Sequence, residues 1–240
     1  VLIHKGELVM SSACYSATTI IGIVDKGIGF LKFFSQGFEQ AQAYGKLKAW
    51  IGIIVHDVIE KLLNGSKIDL SKPFPIPPEF RGTHIKISDK VPSEVDVRVR
   101  AFIEWWETLD NPRVIAVELL LFDPEHFVAG TVDLVIEVDG KVMLIDFKTG
   151  KKYEKTQSIQ LTYYADLMHN LYGIKVDELA CLFLTDRGKY KYEVMNYEPD
   201  IGVLIYHLFT YMHSSFKTKK MPKIKVEEEQ SRIFELKQGE

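Results

Sequence analysis

Apolar positions in the first half of the chain recur at helical spacing. Between residues 44 and 63, Leu47, Trp50, Ile51, Ile54, Val55, Val58, Ile59, Leu62 and Leu63 fall on one face, and Asn64-Gly65 follows as a stop signal, so an amphipathic helix is predicted. Residues 13–43 read as one or two helices broken near Gly27 and Gly29, and residues 95–109 as a further helix closed by Pro112. Four prolines within residues 71–78 forbid regular structure and predict a surface loop. The pattern then becomes alternating. Residues 114–122, 131–138 and 141–149 are short runs of β-branched and aliphatic side chains, which predicts a three-strand meander. Residues 157–172 return to helix with Gly173 as the cap, 179–185 and 189–195 form a second hairpin around Asp186-Arg187-Gly188, and Pro199 opens a last helix to about residue 216. Residues 217–240 are charge-rich and aperiodic and are expected to fray. The order of elements predicts a mixed α+β fold.

The hairpin of residues 131–149 carries the most chemistry. Asp139-Gly140 at its centre suits a two-residue type I′ turn, which fixes the pairing. Val138 then faces Lys141, Ile136 faces Met143, Leu134 faces Ile145 and Val132 faces Phe147, an almost wholly apolar side. On the other side Val135 meets Leu144, Asp133 meets Asp146 and Thr131 meets Lys148. Two carboxylates directly opposed across a strand pair repel unless a cation lies between them. Lys148 supplies one positive charge, and a hard divalent ion such as Mg²⁺ or Mn²⁺ suits the oxygens as well. A solvent-facing strand pair that happens to carry Asp, Asp and Lys fits the same pattern equally well.

Three further features bear on that choice. Glu118 interrupts an apolar run, where a carboxylate is costly without a partner, and the intervening loop would bring it beside Asp133, which favours a site; a charge at an exposed sheet edge is the competing explanation. His56 lies mid-helix with Gly52 one turn earlier, a gap that lets another group approach, although a lone helix histidine is more often a satisfied core residue. Gln160 and Tyr164 share a helix face suited to hydrogen bonding and stacking, and such tyrosines are mostly core.

Composition narrows the classes. The 240 residues are 46% hydrophobic and 26% charged, an ordinary globular balance that excludes disorder and collagen-like structure. One domain over residues 1–216 is the simpler division, mainly helical to residue 110 and then the sheet with its flanking helices, followed by the 217–240 tail. Thirty Lys+Arg against 33 Asp+Glu leave a net charge of -3, so a nucleic-acid partner would need a local basic patch. Lys148, Lys151, Lys152 and Lys155 at the hairpin exit and Lys217, Lys219, Lys220, Lys223 and Lys225 in the tail are the two clusters, and a solvated surface is the usual meaning of either. Cys14 and Cys181 form no metal or redox spacing, which fits a reducing compartment. The longest uncharged stretches, 8–24 and 201–216, fall short of the ~20 apolar residues of a membrane span, and the first is too polar for a secretory signal. A soluble, cytoplasmic protein with no membrane partner is expected.

Taken in order, Gly52 to His56, Glu118, Gly130-Thr131-Val132-Asp133, Asp146-Phe147-Lys148-Thr149 and Gln160-Leu161-Thr162-Tyr163-Tyr164-Ala165 resemble the RecB-like branch of the PD-(D/E)XK nuclease superfamily, which includes the AddB and RecB nuclease domains and CRISPR-associated RecB-like exonucleases. Ser16-Ala17-Thr18-Thr19-Ile20 is similar to that branch's start. The resemblance implies a restriction-endonuclease-like core, a central mixed sheet flanked by helices with a helical N-terminal elaboration. It implies Asp133 and Asp146 as core metal ligands, Lys148 as the lysine that assists the attacking water, His56 as a further ligand and Glu118 as a supporting acid. Gln160 and Tyr164 would organise substrate or site, with Lys151 and Lys152 toward phosphate. The implied activity is Mg²⁺- or Mn²⁺-dependent hydrolysis of DNA by an exonuclease acting on ends or single strands, in DNA repair, recombination or viral genome processing, with a helicase or recombinase as possible partner. A structure-selective or restriction-type endonuclease, an inactive nuclease-like domain that only binds DNA or a partner, and an RNA substrate remain alternatives. Some relatives hold an iron-sulfur cluster on four cysteines; two cysteines imply none here. The branch usually has Gly-Thr before its histidine where this chain has Gly52-Ile53.

Overall fold

The computed structural model describes residues 2–4, 7–9, 15–21, 38–69, 91–123, 126, 128–150, 154–199, 207 and 224–225. Its elements in chain order are β1 (Leu2–His4), β2 (Glu7–Val9), β3 (Tyr15–Ser16), α1 (Ala17–Ile21), α2 (Phe38–Leu63), α3 (Val91–Trp106), β4 (Arg113–Asp123), β5 (Val128–Val138), β6 (Lys141–Lys148), α4 (Glu154–Tyr172), β7 (Glu178–Leu184), β8 (Tyr190–Val194) and β9 (Ile224–Lys225). The fold is mixed α+β, as expected from the order of periodicities, and is consistent with the restriction-endonuclease-like core that the resemblance implies.

The main sheet runs β3-β5-β6-β7-β8, with β4 on the other edge of β5. β4, β5 and β6 pair antiparallel, β6 and β7 parallel, and β7 and β8 antiparallel. The parallel step follows from α4, which crosses from the end of β6 back to the start of β7. Two apolar layers cover the sheet. On one face α2 and α3 pack Ile51, Val55, Ile59, Val99 and Phe102 against Leu134, Ile136, Ile145, Phe147 and Leu182. On the other, α1 and α4 pack Ile20, Leu161, Tyr164 and Met168 against Val132, Val135, Leu144, Cys181 and Phe183.

Several boundaries moved. α2 starts at Phe38, and Gly65 at φ 80° closes it with its N–H donating to Leu62. α3 starts at Val91 because Pro92 is tolerated in a first turn, where an amide has no helical partner anyway. Part of the helical segment expected from residue 13 is instead a strand: Tyr15 and Ser16 pair parallel with Val128 and Ala129. In the tail expected to fray, Ile224–Lys225 pairs with β2 in a small sheet with β1. The proline-rich loop 71–78 and, apart from Pro199 and His207, the last predicted helix lie outside the described residues. Among the described residues no helix is long and apolar enough to cross a membrane.

Candidate active site

The β5–β6 hairpin has the expected turn and register near its tip. Asp139 and Gly140 have φ of 51° and 75°, as a type I′ turn requires, and pairs run from Val138–Lys141 to Leu134–Ile145. There the ladder stops. Asp133 and Asp146 are therefore not a ladder pair, nor are Val132 with Phe147 or Thr131 with Lys148, which corrects the expectation of regular pairing to the end. Asp133 Oδ2 accepts the backbone N–H of Phe147 at 2.6 Å, a side chain standing where a strand carbonyl would have been. Beyond this opening the first residues of β5 turn to β3 for their second neighbour.

A second irregularity crosses the same point. In a regular strand, residues two apart share a face. Val117 nevertheless packs with the α2/α3 layer and Leu119 with the α1/α4 layer, and on the partner strand Leu134 and Val132 divide in the same way. Val117 pairs with Leu134 and Leu119 with Val132, so both strands change face together at Glu118 and Asp133. Glu118 has φ 47°, a left-handed conformation that costs a side-chain-bearing residue about 1–3 kcal/mol and is retained where surrounding structure imposes it. The expectation that Glu118 lies beside Asp133 holds.

Because the sheet parts here, both helix layers reach its acids. From α2, His56 Nε2 lies 3.1 Å from the Phe147 carbonyl oxygen, which can only accept, so Nε2 carries a proton and Nδ1 is turned inward. Nδ1 lies 3.4 Å from Asp133 Oδ1 and 3.7 Å from Glu118 Oε1. Phe147 holds the imidazole edge-on, with ring centres 5.7 Å apart. Gly52 has the role its spacing suggested: a Cβ there would come within 3.1 Å of Thr149 Oγ1, so its absence lets the end of β6 lie against α2. From α4, Tyr164 rests on Gly130, where a Cβ would lie 2.7 Å from its Cζ, and Gln160 Nε2 donates to Tyr164 Oη at 3.3 Å. The buried Asp146 forms an ion pair with the part-buried Lys148 beside these groups, and the Cys181 thiol lies 4.0 Å from Asp146 Oδ2 across the parallel ladder.

The charges are strongly coupled. Burial disfavours a cationic His56, but Asp133 and then Glu118 outweigh it, with Asp146 adding at longer range, and push its pKa up to about 10. Burial raises the Asp146 carboxyl above the usual range against the pull of Lys148. Lys148 is held above its ordinary value because Asp146 overcomes the burial penalty, and it stays an ammonium. Burial lifts the Tyr164 phenol to about 12, Gln160 opposing.

One nitrogen of His56 and one oxygen each of Glu118 and Asp133 lie within 4.8 Å of one another. Glu118 Oε1 is buried without a hydrogen bond. A buried carboxylate oxygen left so is costly, and a divalent cation would satisfy it while replacing the proton on Nδ1. An imidazole and two carboxylates are a suitable donor set for such an ion. Asp146, read from the sequence as a core ligand, stands outside this trio, tied to Lys148. Lys151 and Lys152 lie outside the described residues.

A model of the PD-(D/E)XK nuclease superfamily matches residues 31–231, most of the chain and every candidate group above. The chain belongs to the PD-(D/E)XK nuclease superfamily. Membership points to a nuclease, a phosphodiesterase acting on nucleic acid. Among solved structures, that of SSO0001 is similar at 13% identity over 89% of this chain and 82% of its own, with a TM-score of 0.40. No curated protein matches.

Sequence reasoning missed how this nuclease holds its site: the Phe147 backbone that orients both His56 and Asp133, and the switch at Glu118. It also missed Asp123, whose Oδ2 accepts from Tyr163 Oη and from His126 Nδ1, both at 2.7 Å, tying the β4–β5 turn to α4. Tyr163 and Asp123 are visible in the sequence, but their pairing depends on how the helix returns over the sheet.

Proposed function

We propose that the chain is a metal-dependent deoxyribonuclease of the RecB-like branch, an exonuclease that hydrolyses phosphodiesters at DNA ends or in single strands. The observation that carries this reading is the meeting of His56 Nδ1, Glu118 and Asp133 at the opening of the sheet, with Asp146 and Lys148 alongside. These three residues would hold the cation, with Asp146 completing its surroundings. Mg²⁺ or Mn²⁺ bound there supplies Lewis-acid polarisation of the phosphate and a water of lowered pKa. Lys148 is charged, so it acts by orienting the attacking water and stabilising developing negative charge, not as a base. Asp146 keeps that ammonium in place. Tyr164 stays a phenol, and with Gln160 donating to its oxygen its own proton is left to donate to substrate. Lys151 and Lys152 would follow the phosphate backbone. Work in DNA repair, recombination or viral genome processing, beside a helicase or recombinase in the cytoplasm, belongs to the same proposal.

The test is degradation of end-labelled linear single- and double-stranded DNA, with covalently closed circles as controls, in Mg²⁺, Mn²⁺ or EDTA. The expected result is metal-dependent loss of linear DNA, survival of circles and no activity in Lys148→Ala. Cleaved circles would replace the exonuclease with an endonuclease. DNA bound but never cut with any metal would remove the enzymatic reading.

A further inference from the structure

Large apolar side chains at the rim of a charged centre need an explanation, and this centre has two. Ile53 is 68% exposed, the most exposed large hydrophobic side chain among the described residues, and Leu120 is 45% exposed. Ile53 precedes His56 by three residues on α2, which places the two side chains as neighbours on the helix surface. Leu120 follows Glu118 by two residues on β4, and because Leu119 and Leu121 both pack toward α1 and α4, Leu120 faces the α2 side. The two residues thus flank the trio of His56, Glu118 and Asp133 from two different elements.

Burial in the core does not account for either side chain's apolar character, least of all for Ile53. Ile51, Ile54, Val55 and Val58, the residues around Ile53, bury their side chains in the core, and Ile53 does not. A duplex presents phosphates and hydrated grooves to such a rim, and neither repays burial of an isoleucine and a leucine. An unpaired nucleotide presents a flat apolar base within one sugar of its phosphate, and isoleucine and leucine side chains are suited to contact an unstacked base. With the phosphate drawn to the acids' cation and Lys148, the attached base must lie at the rim.

Resting on the nuclease reading above, we propose that Ile53 and Leu120 form an apolar shelf that takes the face of an unpaired base next to the scissile phosphate, so that this centre works on single-stranded DNA. The shelf contacts the base without reading its edge and is therefore tolerant of sequence. It also sets a strand preference independent of the surface lysines.

The test is a cycle between protein and substrate. Wild type, Ile53→Ala, Leu120→Ala and the double variant are assayed on a single-stranded oligonucleotide, on the same oligonucleotide with abasic sites flanking the cleaved bond, and on its duplex. Mn²⁺ affinity and Tm are measured alongside; both side chains are exposed, so both are expected to stay at wild-type values. The expected result is a rise in KM on the intact single strand of about tenfold for the double variant, with kcat nearly unchanged. The abasic substrate should impose a similar loss on wild type and almost none on the double variant, because the two changes remove the same contact. Equal kinetics of all four proteins on the intact single strand, or additive losses from variant and abasic substrate, would overturn the shelf and leave the nuclease reading intact. A wild type that cuts no substrate with metal would instead sink the nuclease reading.

Discussion

The two ends of the β5–β6 hairpin are built from the same strands and obey different rules. At the tip, Asp139-Gly140 makes a regular turn, the ladder pairs residue for residue, and Leu134, Val135 and Ile136 are fully buried. At the open end the ladder stops, Glu118 takes a left-handed backbone, two strands change face and carboxylates replace aliphatics. The tip stabilises the fold, whereas the open end gives up regular pairing to bring an imidazole, two carboxylates and a lysine together. Substitutions should divide in the same way, and that division is open to measurement.

The largest effect is expected at the open end. Asp133→Asn still accepts from the Phe147 N–H but loses its charge, and should lower kcat by about 10²–10³-fold with little change in Tm. At the other end, Ile136→Ala should cost about 2–5 kcal/mol in denaturant unfolding and leave the specific activity of the folded fraction near wild type. Equal losses of stability and activity in both variants would erase the contrast.

Backbone substitutions sharpen it. Glu118→Gly relieves a left-handed strain of about 1 kcal/mol but also removes an acid that supports the His56 cation, so the metal-free protein should change little in stability while Mn²⁺ binding weakens. Gly140→Ala forces a side chain into φ 75° and should destabilise by about 1 kcal/mol with metal binding unchanged. The remaining expectation concerns pH dependence. The His56 pKa is raised from 6.5 to about 10, so its contribution to metal-free stability is complete below 6.5 and is lost as pH rises through 10. The Tm advantage of metal-free wild type over His56→Gln should therefore shrink between those values.

The same contrast explains what was legible in the sequence. Asp139-Gly140 and the alternation beside it obey local rules, so turn, register and buried pairs could be read directly. The helix carrying Gly52 and His56, and the face shared by Gln160 and Tyr164, follow from helical spacing. Glu118 could be placed beside Asp133 because a short antiparallel turn brings it there. Its backbone inversion left no trace in residue type, since glutamate has no preference for positive φ. The end of the ladder at Leu134–Ile145 was equally hidden, because it arises when Asp133 takes over the Phe147 amide and β3, far off in sequence, takes the free edge. Asp146 was read as equivalent to Asp133, but Asp133 takes the Phe147 amide and faces His56 whereas Asp146 is tied to Lys148.

Mn²⁺ binding tests the central claim most directly: that the opening of the sheet is a cation site assembled by His56, Glu118 and Asp133. Titration calorimetry at pH 8, in buffers of different ionisation enthalpy, reports both affinity and protons released. At that pH His56 is protonated in the metal-free protein, because its pKa is about 10. Saturable binding with release of about one proton is predicted, with both lost in His56→Gln and affinity reduced about 10- to 100-fold in Glu118→Gln. Binding without proton release, or affinity unchanged in both variants, would contradict it.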